Sequence, residues 1–230
     1  MRWSSYFRIH HRQVARLRVG RMFIAGDAAH IHSPFGGQGM NTGLQDVWNL
    51  VWKLDLTVRG HGSEVLLDSY TAERRPVIKQ VIAMTDLLTK AMGTPSKLAQ
   101  ALRDTIIPLF SHLTPLQHRF VQRLSQLGIG YGGSPIIEGA GERYFDDSIR
   151  GGQGIGGLFL LLLGDGTDST TRECAEKLCR SFRDIVEVRT ARLPGMTLVR
   201  PDGYIAYSNQ NRNAAVALEA VGSLLQRQTD

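Results

Sequence analysis

A short apolar segment that ends in glycine and aspartate most constrains how this 230-residue chain can fold. Residues 22–25 are apolar throughout and lie between Gly20-Arg21 and Gly26-Asp27, which predicts a buried β-strand. Asp27 then stands at the carboxyl end of that strand, the end at which ligands bind in open α/β sheets. A carboxylate in this position can accept hydrogen bonds from the hydroxyl groups of a ligand.

A glycine-rich loop and a helix follow the strand. The loop, residues 28–38, contains Pro34 and Gly37 and is followed by Gly39. Apolar residues then recur with a helical period at Met40, Leu44, Val47, Trp48, Val51 and Leu54. We predict Asn41 or Thr42 as the N-cap and Gly60 as the end of the helix. Strand, loop and helix in this order predict a site for negative charge, where glycines let a flat ligand approach the backbone.

The composition excludes several classes of protein. Hydrophobic residues make up 42% and charged residues 21% of the chain, as in ordinary soluble globular proteins. The longest apolar run, residues 158–163, is far shorter than the roughly 20 residues that span a bilayer. Two cysteines, Cys174 and Cys179, favour a reducing compartment, so we expect a cytoplasmic protein. A net charge of +6 is typical of a solvated surface, and we expect neither a nucleic acid nor a membrane as partner.

Several segments near this loop have the order of a known flavin motif. They are residues 20–34 (GRMFIAGDAAHIHSP), residues 36–43 (GGQGMNTG), Gln45-Asp46 and Asn49-Leu50, followed by residues 66–70 (LLDSY) and 73–76 (ERRP). This set resembles the second flavin motif, and the end of the same domain, in the single-component FAD-dependent aromatic hydroxylases. These enzymes are the phenol hydroxylase-like flavoprotein monooxygenases.

The resemblance implies an enzyme that binds FAD and uses NAD(P)H and O2 to hydroxylate a phenol-like aromatic substrate. In the family the Gly-Asp aspartate binds the ribitol of FAD, which assigns that role to Asp27, with Gly26 forming the turn. The loop and helix N-terminus would line the flavin ring with Pro34, Gly37, Gly39, Met40 and Asn41. The resemblance identifies no catalytic residue. His30 and His32 lack a nearby set of further ligands, so we predict no metal site.

The middle of the chain is predicted to be helical. Ser63 is expected to cap a helix over residues 64–74, and Pro76 to begin a second one that runs to about residue 92. Further helices are predicted over residues 96–102 and between Pro108 and Gly128. A glycine-rich connection over residues 128–157 contains a G-x-G-x-x-G match at its end. That match precedes a strand rather than opening a helix, so it does not predict a dinucleotide site.

The last segment predicts an order of elements β-α-β-β-β-α. The strands are expected at residues 158–163, 185–190, 197–200 and 204–207, with helices at residues 171–182 and 211–226. This order, and residues 198–203 (LVRPDG) at the hairpin, resemble the thioredoxin-like C-terminal domain of the same hydroxylases. Cys174 and Cys179 have the spacing C-x4-C on a helix, which predicts no redox function.

We therefore predict an α/β chain with three parts. Residues 1–95 would be the C-terminal part of an FAD-binding, Rossmann-like domain, residues 96–144 a helical and glycine-rich connection, and residues 145–230 a thioredoxin-like domain. A strand–GxGxxG–helix element does not occur in the sequence, so we expect the chain to be a C-terminal portion of a longer enzyme. The alternative is a non-catalytic thioredoxin-like or helical module for interaction or dimerisation, and either hypothesis accommodates a homodimer.

Overall fold

The computed structural model describes residues 10–34, 37–93, 100, 125–145, 158–182, 184–209 and 214–229. Packing divides the chain into two units. The first comprises residues 1–47 and 74–128, and the second residues 48–73 and 129–230. The helices predicted over residues 96–102 and between Pro108 and Gly128 fall almost wholly outside the described residues.

The first unit begins with short antiparallel strands. β1 (Arg12–Gln13) pairs with β4 (His30–Ile31), and β2 (Arg18–Val19) pairs with β3 (Met22–Phe23). One turn of 3-10 helix, Gly26–Ala28, connects β3 to β4. Gly26 has a φ of +59°, a left-handed conformation that favours glycine, and this confirms the sharp turn predicted before Asp27.

The prediction of a fully buried strand over residues 22–25 is wrong for this structure. β3 covers only Met22–Phe23, the Met22 side chain is exposed, and residues 23–25 are half-buried. Because β3 pairs only with β2 among the described residues, its side chains retain contact with solvent.

Helix α1 (Gln38–Val58) follows the loop. It begins at Gln38, before the predicted cap, and the Thr42 hydroxyl donates to the Gln38 carbonyl one turn earlier in the same helix (2.8 Å). Neither Asn41 nor Thr42 is therefore the N-cap. The predicted end is confirmed, since Gly60 adopts a left-handed φ of +81° two residues after the helix.

The apolar stripe of α1 is exposed. The period predicted from the sequence is helical, but Met40, Leu44 and Val51 are 74%, 61% and 54% exposed. The buried positions of the helix include polar residues instead: Gln38, Thr42, Asp46, Asn49 and Lys53, beside Leu50, Trp52 and Leu56. Burying polar groups on a helix in this way is costly unless most of them are hydrogen-bonded.

Helix α2 (Glu64–Gly93) is continuous, which corrects the prediction of two helices. Its start is as predicted, since the Leu66 amide donates to the Ser63 hydroxyl (3.0 Å). Pro76 lies inside the helix rather than at the start of a new one. Ala72 and Pro76 are both exposed, so the carbonyl that loses its intrahelical donor one turn before the proline can be hydrated. No helix in the described ranges is both long and apolar enough to cross a membrane.

The second unit contains a four-stranded sheet with two helices, in the predicted order β-α-β-β-β-α. The elements are β5 (Phe159–Gly164), α3 (Ser169–Ser181), β6 (Val186–Ala191), β7 (Met196–Val199), β8 (Ile205–Asn209) and α4 (Ala214–Thr229). The strand order is β6-β5-β7-β8, with β5 parallel to β6 and antiparallel to β7. The likeness of this unit to thioredoxin stays a prediction.

The central strand β5 is buried along its whole length. Phe159, Leu161 and Leu163 pack into one core with residues of α4, and Leu160 and Leu162 into a smaller one. Helix α3 carries the two cysteines, both free, and burial raises the pKa of the Cys179 thiol to about 11. A thiol of that pKa is protonated at neutral pH and is therefore a poor nucleophile.

A cluster of buried charges also lies in the second unit. The Glu73 carboxylate accepts from Lys53 Nζ (2.9 Å) and from two nitrogens of Arg200 (2.6 and 3.0 Å). Asn49 and the Ser134 hydroxyl each donate to the same carboxylate at 2.6 Å. Burial would raise the pKa of Glu73, but the charges of Arg200 and Lys53 hold it far below its ordinary value.

Arg200 is the centre of this Glu73 cluster. Its guanidinium also donates to the Asp202 carboxylate two residues later, at the turn between β7 and β8. The rings of Trp52, Tyr131 and Tyr204 lie 5.0, 5.4 and 5.9 Å from the guanidinium carbon, within the range of cation–π contacts. The positive charges of Lys53 and Arg200 therefore balance the negative charges of Glu73 and Asp202 in a buried region.

Candidate functional site

A cavity of about 310 Å³ opens in the first unit beside the Gly26–Ala28 turn and the start of α1. Eight residues line it: Asp27, Ile31, His32, Ser33, Pro34, Gly37, Gly39 and Met40. The cavity size is at the lower end of the range for small-molecule sites in proteins.

The structure brings together most of the residues predicted to bind a cofactor. Five of the seven predicted residues line this one cavity, namely Asp27, Pro34, Gly37, Gly39 and Met40. Gly26 forms the turn that precedes Asp27, and Asn41 is half-buried in the first turns of α1 without lining the cavity. The assignment of these residues to flavin binding stays a prediction.

Asp27 is the acidic residue of the cavity lining. Its side chain is exposed, and no described residue is hydrogen-bonded to its carboxylate. Because an ionised carboxylate offers about four acceptor positions, Asp27 can receive hydrogen bonds from two neighbouring hydroxyl groups of a ligand.

Another part of the lining is the loop that enters α1. The Gly37 amide donates to the Pro34 carbonyl (3.0 Å), and Gly37 has a φ of +62°. No atom lies within 4 Å of the position that a Cβ of Gly37 would take, so the space over it is open. The first turn of α1 contains no acidic residue, so the positive end of its dipole remains available to an anion.

Sequence reasoning missed the contribution of β4 to the lining. Ile31, His32 and Ser33 border the cavity, and a Cβ on Gly39 would lie 3.8 Å from the His32 ring. The sequence feature that could have indicated their role is their position directly before Pro34. His32 Nδ1 donates to the Ser33 carbonyl (2.9 Å).

A buried carboxylate supports the turn that carries Asp27. Asp46 Oδ2 accepts from the Gly26 amide (3.1 Å) and from His30 Nε2 (2.7 Å), and Asp46 Oδ1 accepts from Arg74 Nε (2.7 Å). Burial would raise the pKa of Asp46, but the hydrogen bond from His30 and the charge of Arg74 lower it overall. The carboxylate is therefore ionised, and His30 must carry its proton on Nε2 to donate to it.

This arrangement uses His30 for a purpose other than metal binding. Its side chain is fully buried and donates to Asp46, and its ring stacks with that of His32 at a centroid distance of 6.2 Å. Within the described ranges, no three His, Cys, Asp or Glu side chains form a group that could hold a metal ion.

Comparisons of the sequence with known proteins all lead to FAD-binding domains and monooxygenases. Residues 1–85 match the family described as FAD binding domain. The chain is 42% identical over 144 residues to 6-methylpretetramide 4-monooxygenase of Streptomyces rimosus, which covers 61% of this chain and 26% of that enzyme. It is 34% identical over 215 residues to rifampicin monooxygenase of Streptomyces venezuelae, with 92% of this chain and 44% of that enzyme covered.

A solved structure agrees with these sequence matches. The OxyS anhydrotetracycline hydroxylase from Streptomyces rimosus superposes with a TM-score of 0.73 at 27% identity, covering 95% of this chain and 46% of that one. The protein is therefore a relative, in sequence and in fold, of the FAD-dependent aromatic monooxygenases. The match to the FAD binding domain family is limited to residues 1–85, and the chain spans less than half the length of these relatives.

Proposed function

We propose that this chain supplies the ribityl and ring contacts of the FAD site in an NAD(P)H-dependent monooxygenase that hydroxylates an aromatic, phenol-like substrate. The observation that carries the proposal is the cavity in which Asp27, Pro34, Gly37, Gly39 and Met40 meet. Bound FAD would supply the redox chemistry, taking electrons from NAD(P)H and passing one oxygen atom of O2 to the substrate.

The cavity residues have the chemistry that a flavin requires. Asp27 is an exposed carboxylate to which no described residue is hydrogen-bonded, as a group that accepts from the hydroxyls of a ribityl chain should be. Gly37 leaves open backbone beside Pro34, where a flat ring system can approach. The start of α1 offers its dipole to an anion, and the flavin ring carries negative charge when it is reduced.

Each part of the chain has a separate task in this proposal. Asp27 binds and orients the ribityl chain, the loop at Pro34 and Gly37 excludes water from one side of the ring, and the start of α1 stabilises negative charge. The described residues provide no group that we assign as general acid or base. The named relatives oxidise compounds stated in their names, and we extend to this chain only the class of aromatic small molecules.

The remaining features of the proposal concern partners and location. We propose a cytoplasmic enzyme with a small-molecule substrate, without nucleic acid or membrane as partner, and a homodimer is compatible with it. NADH and NADPH are both candidates for the reductant.

The proposal is tested by titrating the 230-residue chain with two flavins and following the quenching of flavin fluorescence. Riboflavin carries the ribityl chain, whereas lumiflavin has the same ring with a methyl group in its place. We expect both to bind and riboflavin to bind more tightly. Equal affinities would contradict the role of Asp27, and the absence of binding by either flavin would contradict the flavin site itself.

Enzyme activity is tested with the same chain joined to the part of rifampicin monooxygenase that it does not cover. Oxidation of NADH or NADPH that depends on FAD and is stimulated by a phenol, with a hydroxylated product detected by mass spectrometry, would support the reaction. Flavin binding without any such turnover would leave only the binding part of the proposal standing.

A further inference from the structure

The Asp46 carboxylate holds three donors from three different parts of the first unit. The Gly26 amide belongs to the turn, His30 to β4 and Arg74 to α2. The side chains of Asp46, His30 and Arg74 are all fully buried. One buried carboxylate on α1 therefore fixes the backbone one residue before Asp27.

Backbone packing adds to this anchor. A Cβ on Gly43 would lie 3.4 Å from the Cα of Gly26, so the turn rests directly against α1 one turn before Asp46. The left-handed φ of Gly26 and the hydrogen bond from its amide together determine where the next residue, Asp27, stands.

We infer that Asp46, itself held by Arg74 and His30, is a positioning residue for flavin binding, because it fixes the Gly26–Asp27 turn in the orientation that presents the Asp27 carboxylate to the cavity. The inference rests on the proposed function, since it concerns the same flavin site. Asp46 acts through Asp27 and is not itself part of the cavity lining.

A purely structural role does not require an ion pair at this place. Buried ion pairs can often be replaced by apolar side chains of similar volume without loss of stability. What an apolar side chain cannot replace is the acceptor for the Gly26 amide and for His30 Nε2, which must then find other partners. The readout that separates positioning from stability is therefore the difference between riboflavin and lumiflavin affinity in the folded variant.

The experiment compares two double variants, each of which changes one aspartate of α1 and the arginine paired with it. Asp46→Leu with Arg74→Met removes the buried pair, and Asp55→Leu with Arg59→Met removes an exposed pair at the C-terminal end of α1 by the same substitutions. We expect the Asp46 variant to be less stable than the parent chain, because two hydrogen-bond donors lose their acceptor, and to bind riboflavin at least tenfold more weakly at a temperature where it is still folded. Lumiflavin affinity should change by less than about threefold in both variants, because lumiflavin has no ribityl chain.

Two single variants keep the inference testable if the double variant does not fold. Asp46→Asn weakens the acceptor for Gly26, whereas Arg74→Gln leaves that acceptor in place. We expect Asp46→Asn to lower riboflavin affinity more than Arg74→Gln does. We also expect Asp46→Asn to shift the NMR resonance of the Gly26 amide proton upfield in a ¹H–¹⁵N correlation spectrum. The exchange of that proton with solvent should become faster.

The possible outcomes separate the two proposals. Riboflavin binding that survives the Asp46→Leu/Arg74→Met change overturns the positioning role alone, and so does a larger effect of Arg74→Gln than of Asp46→Asn. If the parent chain binds neither flavin, the proposed function is overturned and this inference with it.

Discussion

The buried Glu73 cluster gives the sharpest prediction for stability. Glu73 accepts five hydrogen bonds, from Lys53, Asn49, Ser134 and twice from Arg200, and its side chain has no contact with solvent. Replacing it by alanine leaves two buried cations with a single carboxylate, that of Asp202. Removing one partner of a buried ion pair costs about 3–5 kcal/mol, so Glu73→Ala should lower the free energy of unfolding by roughly that amount.

The chain provides a matched control. Glu187 also receives two hydrogen bonds from one arginine, Arg189 (2.8 and 3.0 Å), but both side chains are about 40% exposed. Exposed pairs contribute about 0–1 kcal/mol, because water and ions screen them and ordering of the side chains opposes them. The same substitution, Glu187→Ala, should therefore change the stability little.

Chemical denaturation followed by tryptophan fluorescence measures both variants, since Trp52 lies in the core of the second unit. At roughly 2–4 °C per kcal/mol, the Glu73 variant should also melt roughly 6–20 °C below the parent chain. Losses of stability that agree within about 1 kcal/mol between the two variants would refute the argument from burial.

The same cluster predicts a dependence on acid. The pKa of Glu73 in the folded chain lies below its ordinary value of 4.5. The folded state therefore binds fewer protons than the unfolded state in acid, and the stability due to Glu73 is complete above that value and declines as the pH falls below it. The difference in stability between the parent chain and Glu73→Gln should accordingly shrink below about pH 4.5, while it stays constant from about pH 6 to 7.

Three further predictions concern the cavity. Asp27→Ala should weaken riboflavin or FAD binding roughly tenfold to a hundredfold in a fluorescence titration, because a hydrogen bond to a charged acceptor is worth about 1.5–3 kcal/mol. Unchanged affinity would show that Asp27 does not contact the flavin. Gly39→Val should lower flavin affinity while the melting temperature stays close to that of the parent chain. A Cβ there would lie 3.8 Å from the His32 ring, at ordinary contact distance, and the side chain would take up space in the cavity. The reverse pattern would place the flavin elsewhere. The 230-residue chain should purify without a flavin absorption band and should not oxidise NAD(P)H when FAD and phenol are added. The reason is that its sequence contains no strand–GxGxxG–helix element for the FAD pyrophosphate. A stoichiometric flavin band would contradict this prediction.

The two glycines of the cavity lining differ in what a substitution would disturb. In the structure Gly39 lies within α1, and Gly37 is the residue with a left-handed φ. Substitution at Gly37 should therefore strain the loop itself, whereas substitution at Gly39 acts on the space in front of it.

Local signals in the sequence predicted much of the second unit. Apolar strands separated by turn residues gave the order β-α-β-β-β-α, and Ser63 was recognised as a cap because hydroxyl side chains satisfy the free amides of a helix start. Pro76 was misread because its usual effect is local, whereas an exposed proline can be tolerated within a long helix.

Long-range partners were the part that sequence reasoning could not supply. The period of α1 predicts which residues share a face, but whether that face is buried depends on what packs against it. Asp46, Asn49 and Lys53 recur at helical spacing, and this was the only available sign that a polar face is buried. Arg74 lies 28 residues after Asp46, and Glu73 lies 20 residues after Lys53. Only the folded chain brings these partners together.

The composition of β5 has a consequence for handling the protein. Residues 159–163 are five consecutive large apolar residues without charge or proline, the type of segment that assembles into intermolecular β-structure when it is exposed. In the folded unit β6 and β7 occupy both edges of this strand. A truncation that removes β7 and β8 would free one of these edges, so such a truncated form should aggregate during expression rather than remain as a smaller folded domain.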